Sequence, residues 1–418
     1  MSQSVWIINP YGSLPSEAWA TYRSTMLAQC LAAHGYTVTQ FISNFEHRSK
    51  TFRAAAHEVI AADERYVIEV IPSSTYEAHI SLSRVRYERT FARNLVSTIR
   101  ARARPDFIVL AEPSLFYYDV LWPLLRHQNT ALVLDVIDIW PELFALVLPP
   151  ALQRLSPLVL APLYAWRKRL FRRADAVVAV AGDYLEIARK LVRRPDVPME
   201  VVYWGYDTHR QEADVPAQQP VQDLVAHKQP GDVWAVYAGT LGEHYDIPAI
   251  LRVSQRLPDE LGHTVRLRFI VAGDGPLKQL CRDSVNDAFV FLGRLGPADL
   301  ALLYRNSDIA LSTYRGESTV SMPIKAFDYL QYGLPIINSL RGDLGVIIQL
   351  HEVGLNYDAS RPATLVHAVR RLVRDEPLRR RMSSNARALA GSFSADQQYR
   401  KFVRVLEAVS VQRRASTQ

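Results

Sequence analysis

Short runs of apolar and β-branched residues recur along the chain, separated by stretches with helical spacing. VWIIN (5–9), TVTQFI (37–42), YVIEVI (66–71), FIVLA (107–111), ALVLDV (131–136), AVVAV (176–180) and VVYW (201–204) predict strands. Residues 16–33, 84–104 and 115–127 carry the clearest helical patterns. Most of the strand runs are continuously apolar rather than alternating, which marks strands covered on both faces. Strands alternating with helices then predict right-handed βαβ units and a parallel sheet.

Residues 208–231, THRQEADVPAQQPVQDLVAHKQPG, interrupt this rhythm with Pro, Gln and other polar residues and read as a linker or hinge. The rhythm resumes at VWAVYAG (233–239), VRLRFIVAG (265–273), FVFLG (289–293), DIALST (308–313), PIINS (335–339) and GLNY (354–357). From about 360 to 412 the pattern is helical with no strand. The expected fold class is α/β with two parallel-sheet domains. Residues 1–210 form the first, 211–392 the second, and 393–418 a closing helical segment.

Composition narrows the function. The 418 residues are 49% hydrophobic and 22% charged, too apolar for a largely disordered chain. Cys30 and Cys281 are far apart, which excludes a disulfide framework or a cysteine-rich zinc module and predicts two ordinary buried thiols. The start, MSQSVWIINPYG, has no basic-then-apolar-then-small pattern, so a cytoplasmic protein is expected. The net charge of +7 rests largely on arginine. Arg84, Arg86, Arg89, Arg93, Arg100, Arg102 and Arg104 fall in one expected helix, and most of them read as a solvated face. A second cluster comprises Arg167, Lys168, Arg169, Arg172 and Arg173. No aromatic-interleaved basic strand, zinc finger or helix-turn-helix accompanies these cations, so nucleic acid is not an expected partner.

LFALVLPPALQRLSPLVLAPLYAW (143–166) is apolar but broken by Pro149, Pro150, Pro157, Pro162, Gln153 and Arg154. It has no uninterrupted run near the roughly 20 residues that span a bilayer. With the following RKRLFRR it suits peripheral contact with an anionic leaflet through 143–173, or equally a buried helix with a basic end.

In open parallel sheets ligands collect where strands end and helices begin. In the second half those places hold Gly239-Thr240-Leu241-Gly242, Gly273-Asp274-Gly275, Gly293-Arg294 and the stretch from Thr313 to Lys325. Glycines there let a backbone approach a ligand, and amides ahead of a helix suit phosphate. VAGDGP is not a full dinucleotide fingerprint, because Lys278 occupies the place of the third glycine. In STYRGESTVSMPIKAFDYLQYGLPIINS (312–339) a polar loop leads to Met322-Pro323, which is expected to open a helix. Lys325 and Asp328 are three apart and share one face, fit for a diphosphate and for ribose hydroxyls. A plain surface lysine–aspartate pair is the alternative.

PIKAFDYLQYGLP (323–335) resembles the P-x-K-x-x-[DE]-Y-L-x-x-G-x-P donor motif of retaining GT-B glycosyltransferases of family 4 (group 1). DIWPELF (138–144), RRADAVVAVAGDYL (172–185), VVYWGYD (201–207), VYAGTLGEHYDI, FIVAGDGPLKQL, FLGRLGPADLALLYRNSDIALS and the terminal NARALAGSFSADQQYRKFVRVL are also similar to segments of that family, in order. The resemblance implies two Rossmann-like domains facing across a cleft, with the last helix returning to the first domain. It also implies a nucleotide-diphosphate sugar as donor. Asp328 corresponds to the ribose-binding acid, and Ser321, Met322, Pro323 and Ile324 to the loop at the donor sugar and phosphates. Lys325 is assigned to the diphosphate, and Gly12, Asp138, Trp140 and Glu142 to the acceptor side. Three features depart from the family. Val320 stands where many members carry a second acid, leaving Glu317 as the nearest substitute. GTLGEHYD lacks the usual Arg and Lys, so Arg294 or Arg315 is left to assist Lys325. VIDIW lacks a common histidine. These gaps fit the polysaccharide-assembly branch.

The expected reaction is retaining transfer without a bound metal to a lipid-linked or glycan acceptor of a bacterial surface polysaccharide. Fixed cations would meet the leaving phosphate, and Asp138 would orient the acceptor hydroxyl or instead cap the helix that follows it. Two other readings share the donor: a GT-B nucleotide-sugar epimerase, and a non-catalytic protein that binds nucleotide sugar or glycan.

Overall fold

The computed structural model describes residues 2–17, 22–78, 81–142, 144, 148, 153–207, 216–261, 265–316 and 318–415. The chain divides into two compact units, Met1–Trp204 with Gln398–Gln418, and Gly205–Gln397. The divisions fall after Trp204 and before Gln398, a few residues from the expected 210 and 392.

Among the described residues unit 1 has ten strands: β1 (Ser4–Ile8), β2 (Thr37–Ser43), β3 (Phe45–Glu46), β4 (Thr51–Phe52), β5 (Glu58–Asp63), β6 (Tyr66–Ile71), β7 (Phe107–Glu112), β8 (Ala131–Val136), β9 (Ala176–Ala179) and β10 (Met199–Val201). Eight of them form one sheet in the order β10-β9-β8-β7-β1-β2-β6-β5. Every neighbouring pair is parallel except β5 with β6. β7 and β8 are buried along their whole length, as their unbroken apolar runs require. β5 was not expected. Its residues, EVIAAD, are largely exposed at the sheet edge, so no apolar run announces them. The β3–β4 hairpin was too short to leave a pattern, and β10 lies at 199–201 rather than 201–204.

One core packs Phe91, Leu95, Tyr117, Leu121, Leu170 and Phe171 against the sheet. Beside it the Arg23 guanidinium meets Asp135 of β8 at 2.7 Å, with both side chains almost fully buried, and donates to the carbonyls of Val202 and Tyr203. Loss of either charge would strand the other in the interior, at about 3–5 kcal/mol. The terminal helix Ala395–Ala415 joins this unit through its later residues. Gln398 accepts the Tyr203 amide, Tyr399 donates to the Trp204 carbonyl, and Gln412 donates to the Asp196 carbonyl.

Unit 2 holds β11 (Val233–Ala238), β12 (Leu267–Ala272), β13 (Phe289–Gly293), β14 (Ile309–Ser312), β15 (Ile336–Asn338) and β16 (Gly354–Asn356). They form an all-parallel sheet in the order β13-β12-β11-β14-β15-β16. Its core gathers Val253, Leu257, Phe269, Val369 and Leu372. The segment expected to be a plain linker contains a helix, Gln219–Ala226. Val221 is buried there, and Asp299 accepts hydrogen bonds from the Gln218 backbone and side-chain amides. One buried valine among polar residues gives little periodic signal, so the helix was missed. Residues 208–215 of that linker lie outside the described residues.

Other expectations change in detail. Cys281 is buried, but Cys30 is half-buried. The arginine-rich helix spans Leu82–Ile99, and Arg86, Arg93, Arg100 and Arg104 are exposed as expected. Arg84 instead turns inward onto Glu88, and Arg102 pairs with the buried Glu69. Arg167 of the second basic cluster is buried and paired with Glu142. Among the described residues no helix is long and apolar enough to cross a membrane.

Candidate functional site

The strand order of unit 2 reverses between β11 and β14, which makes the carboxyl ends of these two strands its topological switch point. Three backbone segments meet there. Gly239 donates its amide to the Ala272 carbonyl, Leu241 to the Asp274 carbonyl, and Leu277 to the Leu241 carbonyl. Gly273 has φ +149°, and a Cβ there would lie 1.8 Å from the Gly239 carbonyl oxygen. Gly275 has φ +148° and would carry a Cβ 2.7 Å from the Leu241 carbonyl oxygen. These glycines are required because two backbone loops touch where a side chain would stand.

Lys325 opens the helix Lys325–Gln331 and reaches back to this point. Its Nζ is buried, 4.0 Å from the ring centre of Tyr237, 4.6 Å from Tyr245 and 5.3 Å from Tyr314. Tyr237 is the next-to-last residue of β11, and Tyr245 and Tyr314 face each other across an isolated bridge. Nζ has no hydrogen-bond partner. Burial lowers the lysine pKa from its ordinary 10.5 to about 7. Each aromatic contact supports a cation by about 0.5–2 kcal/mol, yet the direction of the shift shows that lost hydration outweighs them here. The surface lysine–aspartate pair is therefore not formed: Lys325 faces tyrosines, and Asp328 lies one turn on, half-buried. Ser312 Oγ and Thr313 Oγ1, at the end of β14, are likewise buried without partners. A dehydrated cation and two buried hydroxyls without partners thus stand at the carboxyl ends of the two switch-point strands.

The other expected donor residues divide by role. Leu241 is fully buried. Thr240 is exposed and its carbonyl accepts from the Tyr237 hydroxyl, while Gly242 has room around it. Asp274 is exposed, and Lys278 and the Gly275 amide hold its pKa below the ordinary value. Arg294 and Arg315 are exposed. Ser321 is buried, and its hydroxyl accepts the Asp343 amide at 2.9 Å, so it fixes the start of the helix Asp343–His351. Pro323 is buried, Met322 half-buried and Ile324 exposed. The helix begins at Lys325, one turn into the segment where Met322-Pro323 was expected to open it; Pro323 instead accepts the Ala326 amide in a preceding turn. Glu317 lies outside the described residues. The sequence reading missed the three tyrosines. They sit in strand ends already singled out for glycine, and their ring faces, not a motif, give them their part.

Unit 1 also has a switch point, between β1 and β7. Tyr11, following β1, donates its hydroxyl to the buried Glu88, and Arg84 Nε donates to both at 3.1 and 3.2 Å. Burial pushes the Glu88 carboxyl up to about 7. The Arg84 guanidinium lies 4.3 Å from the Trp140 ring centre. Asp138 accepts the Ile139 amide at 2.8 Å and a side-chain hydrogen bond from Trp140. Burial raises its pKa, against the opposing pull of Arg84. Asp138, Trp140 and Arg84 thus stand together. Both Glu142 oxygens are taken by Arg167 at 2.6 and 2.7 Å, and Arg167 also donates to the Trp140 carbonyl. Glu142 therefore anchors this segment. Gly12 packs tightly, since a Cβ would lie 2.6 Å from Ile42.

Two parallel-sheet units of this kind are the architecture of the GT-B fold. The family described as Glycosyl transferases group 1 matches residues 224–389, and Glycosyltransferase Family 4 matches residues 22–210. Together the two models span most of the chain, which belongs to the group 1, family 4 glycosyltransferases. Among solved structures it is similar to a sucrose-phosphate synthase from Thermosynechococcus elongatus, with TM-score 0.73 and 15% identity over 98% of this chain and 100% of that one. It is similar to an α,α-trehalose 6-phosphate synthase from Burkholderia multivorans, with TM-score 0.72 and 11% identity over 99% and 100%. It also resembles Alr3699/HepE of Anabaena, solved with UDP-glucose, with TM-score 0.62 and 14% identity over 97% and 99%. No curated protein sequence matches the chain.

Proposed function

We propose that the protein transfers a sugar, with retention of anomeric configuration, from a nucleotide-diphosphate sugar to a lipid-linked or glycan acceptor of a bacterial surface polysaccharide. The observation that carries the donor half is Lys325: a buried ammonium with no anionic partner at the β11/β14 switch point. When the glycosidic bond to the leaving diphosphate breaks, negative charge grows on the phosphate oxygens. A cation already fixed and dehydrated meets that charge without reorganising. Asp328 is assigned to the ribose. Retention follows from the family resemblance, with the departing phosphate taking the acceptor proton. On this reading no metal is needed, because Lys325 supplies the counter-charge. Uridine is the first base to test, since the Anabaena neighbour carries UDP-glucose. The gaps at Val320 and in GTLGEHYD favour the polysaccharide branch.

Asp138 is assigned to the acceptor hydroxyl, supported by its place after β8 and its raised pKa. A thermal-shift panel of UDP, GDP and dTDP with their sugars, run with a chelator, tests the donor reading. One nucleotide series should stabilise the wild type and lose its effect in Asp328→Ala; stabilisation by none of them refutes it. Asp138→Asn should retain nucleotide binding while sugar transfer falls by about 100-fold, the scale on which a misplaced reacting group slows a reaction. Near-normal transfer would remove Asp138 from that role. Conversion of the donor alone would favour an epimerase.

Peripheral membrane contact is proposed at the short helix Ser156–Val159 and the helix Ala161–Arg173 that follows it. Leu155, Leu158 and Val159 are exposed there, and Lys168, Arg169 and Arg172 are exposed on the helix. Apolar groups beside cations suit an anionic leaflet. Co-sedimentation with phosphatidylglycerol vesicles should fall several-fold in Leu158→Asp. Equal sedimentation of the variant would rule this contact out.

A further inference from the structure

A second buried ammonium stands in unit 1. Lys50 occupies the turn between β3 and β4 with φ 59°, a left-handed conformation that costs a lysine about 1–2 kcal/mol. Its Nζ lies 4.0 Å from the Tyr76 ring centre and 6.0 Å from that of Phe45. That nitrogen is shielded from solvent and has no hydrogen-bond partner. The same Tyr76 ring has the Arg84 guanidinium 5.8 Å from its centre. Burial lowers the Lys50 pKa, and the nearby Arg84 charge lowers it further.

The neighbouring acids are largely committed. Glu46 accepts the backbone amides of Arg48 and Ser49. Glu88 holds Tyr11 and Arg84, and Glu17 holds Arg53 at 2.8 Å. Glu46 and Glu77 act on Lys50 only at a distance, with no ion pair to either. Asp138 lies within the field of Arg84, and His47 packs its ring on Tyr11. The fold therefore brings two cations to one aromatic ring and leaves one of them without a counter-ion. It does so beyond the carboxyl ends of β1, β2, β6 and β8, the edge of the sheet where ligands bind. Loss of water around an unpaired ammonium is costly unless an anion replaces it.

We propose that Lys50 and Arg84 form a binding site for a phosphoryl group carried by the acceptor. This rests on the reading that unit 1 holds the acceptor, and it narrows that acceptor to a phosphate or diphosphate ester. Lys50 meets the anionic oxygens directly. Arg84, fixed by Glu88, Tyr11 and Trp140, adds a positive field beside it.

The test titrates inorganic pyrophosphate into the full chain, with and without saturating UDP, for wild type, Lys50→Gln and Lys50→Arg. Wild type should bind pyrophosphate in the presence of UDP. Lys50→Gln should weaken that binding at least tenfold, and Lys50→Arg should retain it within threefold. UDP affinity should be alike in all three and neither variant should melt below wild type, which separates a lost ligand contact from a lost fold. Equal pyrophosphate affinity in wild type and Lys50→Gln, or no pyrophosphate binding beside UDP, overturns the site. Failure of UDP to bind at all would instead count against the donor reading, and the titration without UDP would still judge Lys50. Glucose 6-phosphate and farnesyl diphosphate are then compared as competitors. Displacement by the first points to a sugar phosphate, and by the second to a lipid diphosphate. Displacement by neither overturns the assignment to an ester.

Discussion

Lys325→Met is expected to make the free protein more stable while weakening UDP-glucose binding by at least tenfold. The depression of the Lys325 pKa from 10.5 to about 7 corresponds to roughly 5 kcal/mol of unfavourable interaction with the charged form. Because the folded value lies below the unfolded one, the unfolded chain holds an extra proton between about pH 7 and the ordinary lysine range. Wild-type stability should therefore rise with pH through that window, and the full penalty stands at and below about pH 7. Methionine fills a similar volume without the charge, so its advantage should be largest near pH 6 and fade towards pH 10. Thermal midpoints of both proteins across this range check the sign. A variant less stable than wild type at pH 6 would mean that the tyrosines already satisfy the cation. Binding follows the same linkage: the diphosphate favours charged Lys325, so wild-type affinity for UDP-glucose should be flat below about pH 6. It should then fall by up to tenfold per pH unit above 7. UDP-glucose is the right probe because, unlike UDP, it has no terminal phosphate titrating in that range.

Gly273→Ala is expected to destabilise the protein by more than about 3 kcal/mol, among the larger effects of single substitutions. The added Cβ would lie 1.8 Å from a backbone oxygen that cannot rotate away, at a φ of +149° that alanine rarely adopts. Gly242→Ala, whose Cβ would meet nothing nearer than 3.6 Å, should change stability by no more than about 1 kcal/mol. Urea denaturation of both variants checks the contrast. Similar midpoints would show that the 239–242 and 273–275 loops are not in contact as described.

The sheets were legible in the sequence because buried parallel strands must be continuously apolar: ALVLDV, FIVLA and VWAVYA could hardly lie elsewhere. β5 and the Gln219–Ala226 helix were not legible, since one is an exposed edge and the other buries a single valine. At the site, Lys325 and Asp328 could be found from their motif and spacing. The tyrosine cage could not, because Tyr314 is far from Tyr237 and Tyr245 in the chain and joins them only when β11 and β14 become neighbours. Glu142 shows the opposite error. Its place in a familiar segment suggested an acceptor contact, while the structure commits both oxygens to Arg167, which the sequence had placed in a cluster suited to a lipid leaflet or to the basic end of a helix.

The central claim is that unit 2 binds a nucleoside diphosphate through the buried charge of Lys325. Calorimetric titration of UDP-glucose into metal-free wild type and Lys325→Met, in two buffers of different ionisation enthalpy at pH 7.5, is the sharpest test. One UDP-glucose should bind per wild-type chain, with net proton uptake. The variant should bind at least tenfold more weakly, with less proton uptake than wild type. Equal affinity and equal proton exchange in the two proteins would contradict it.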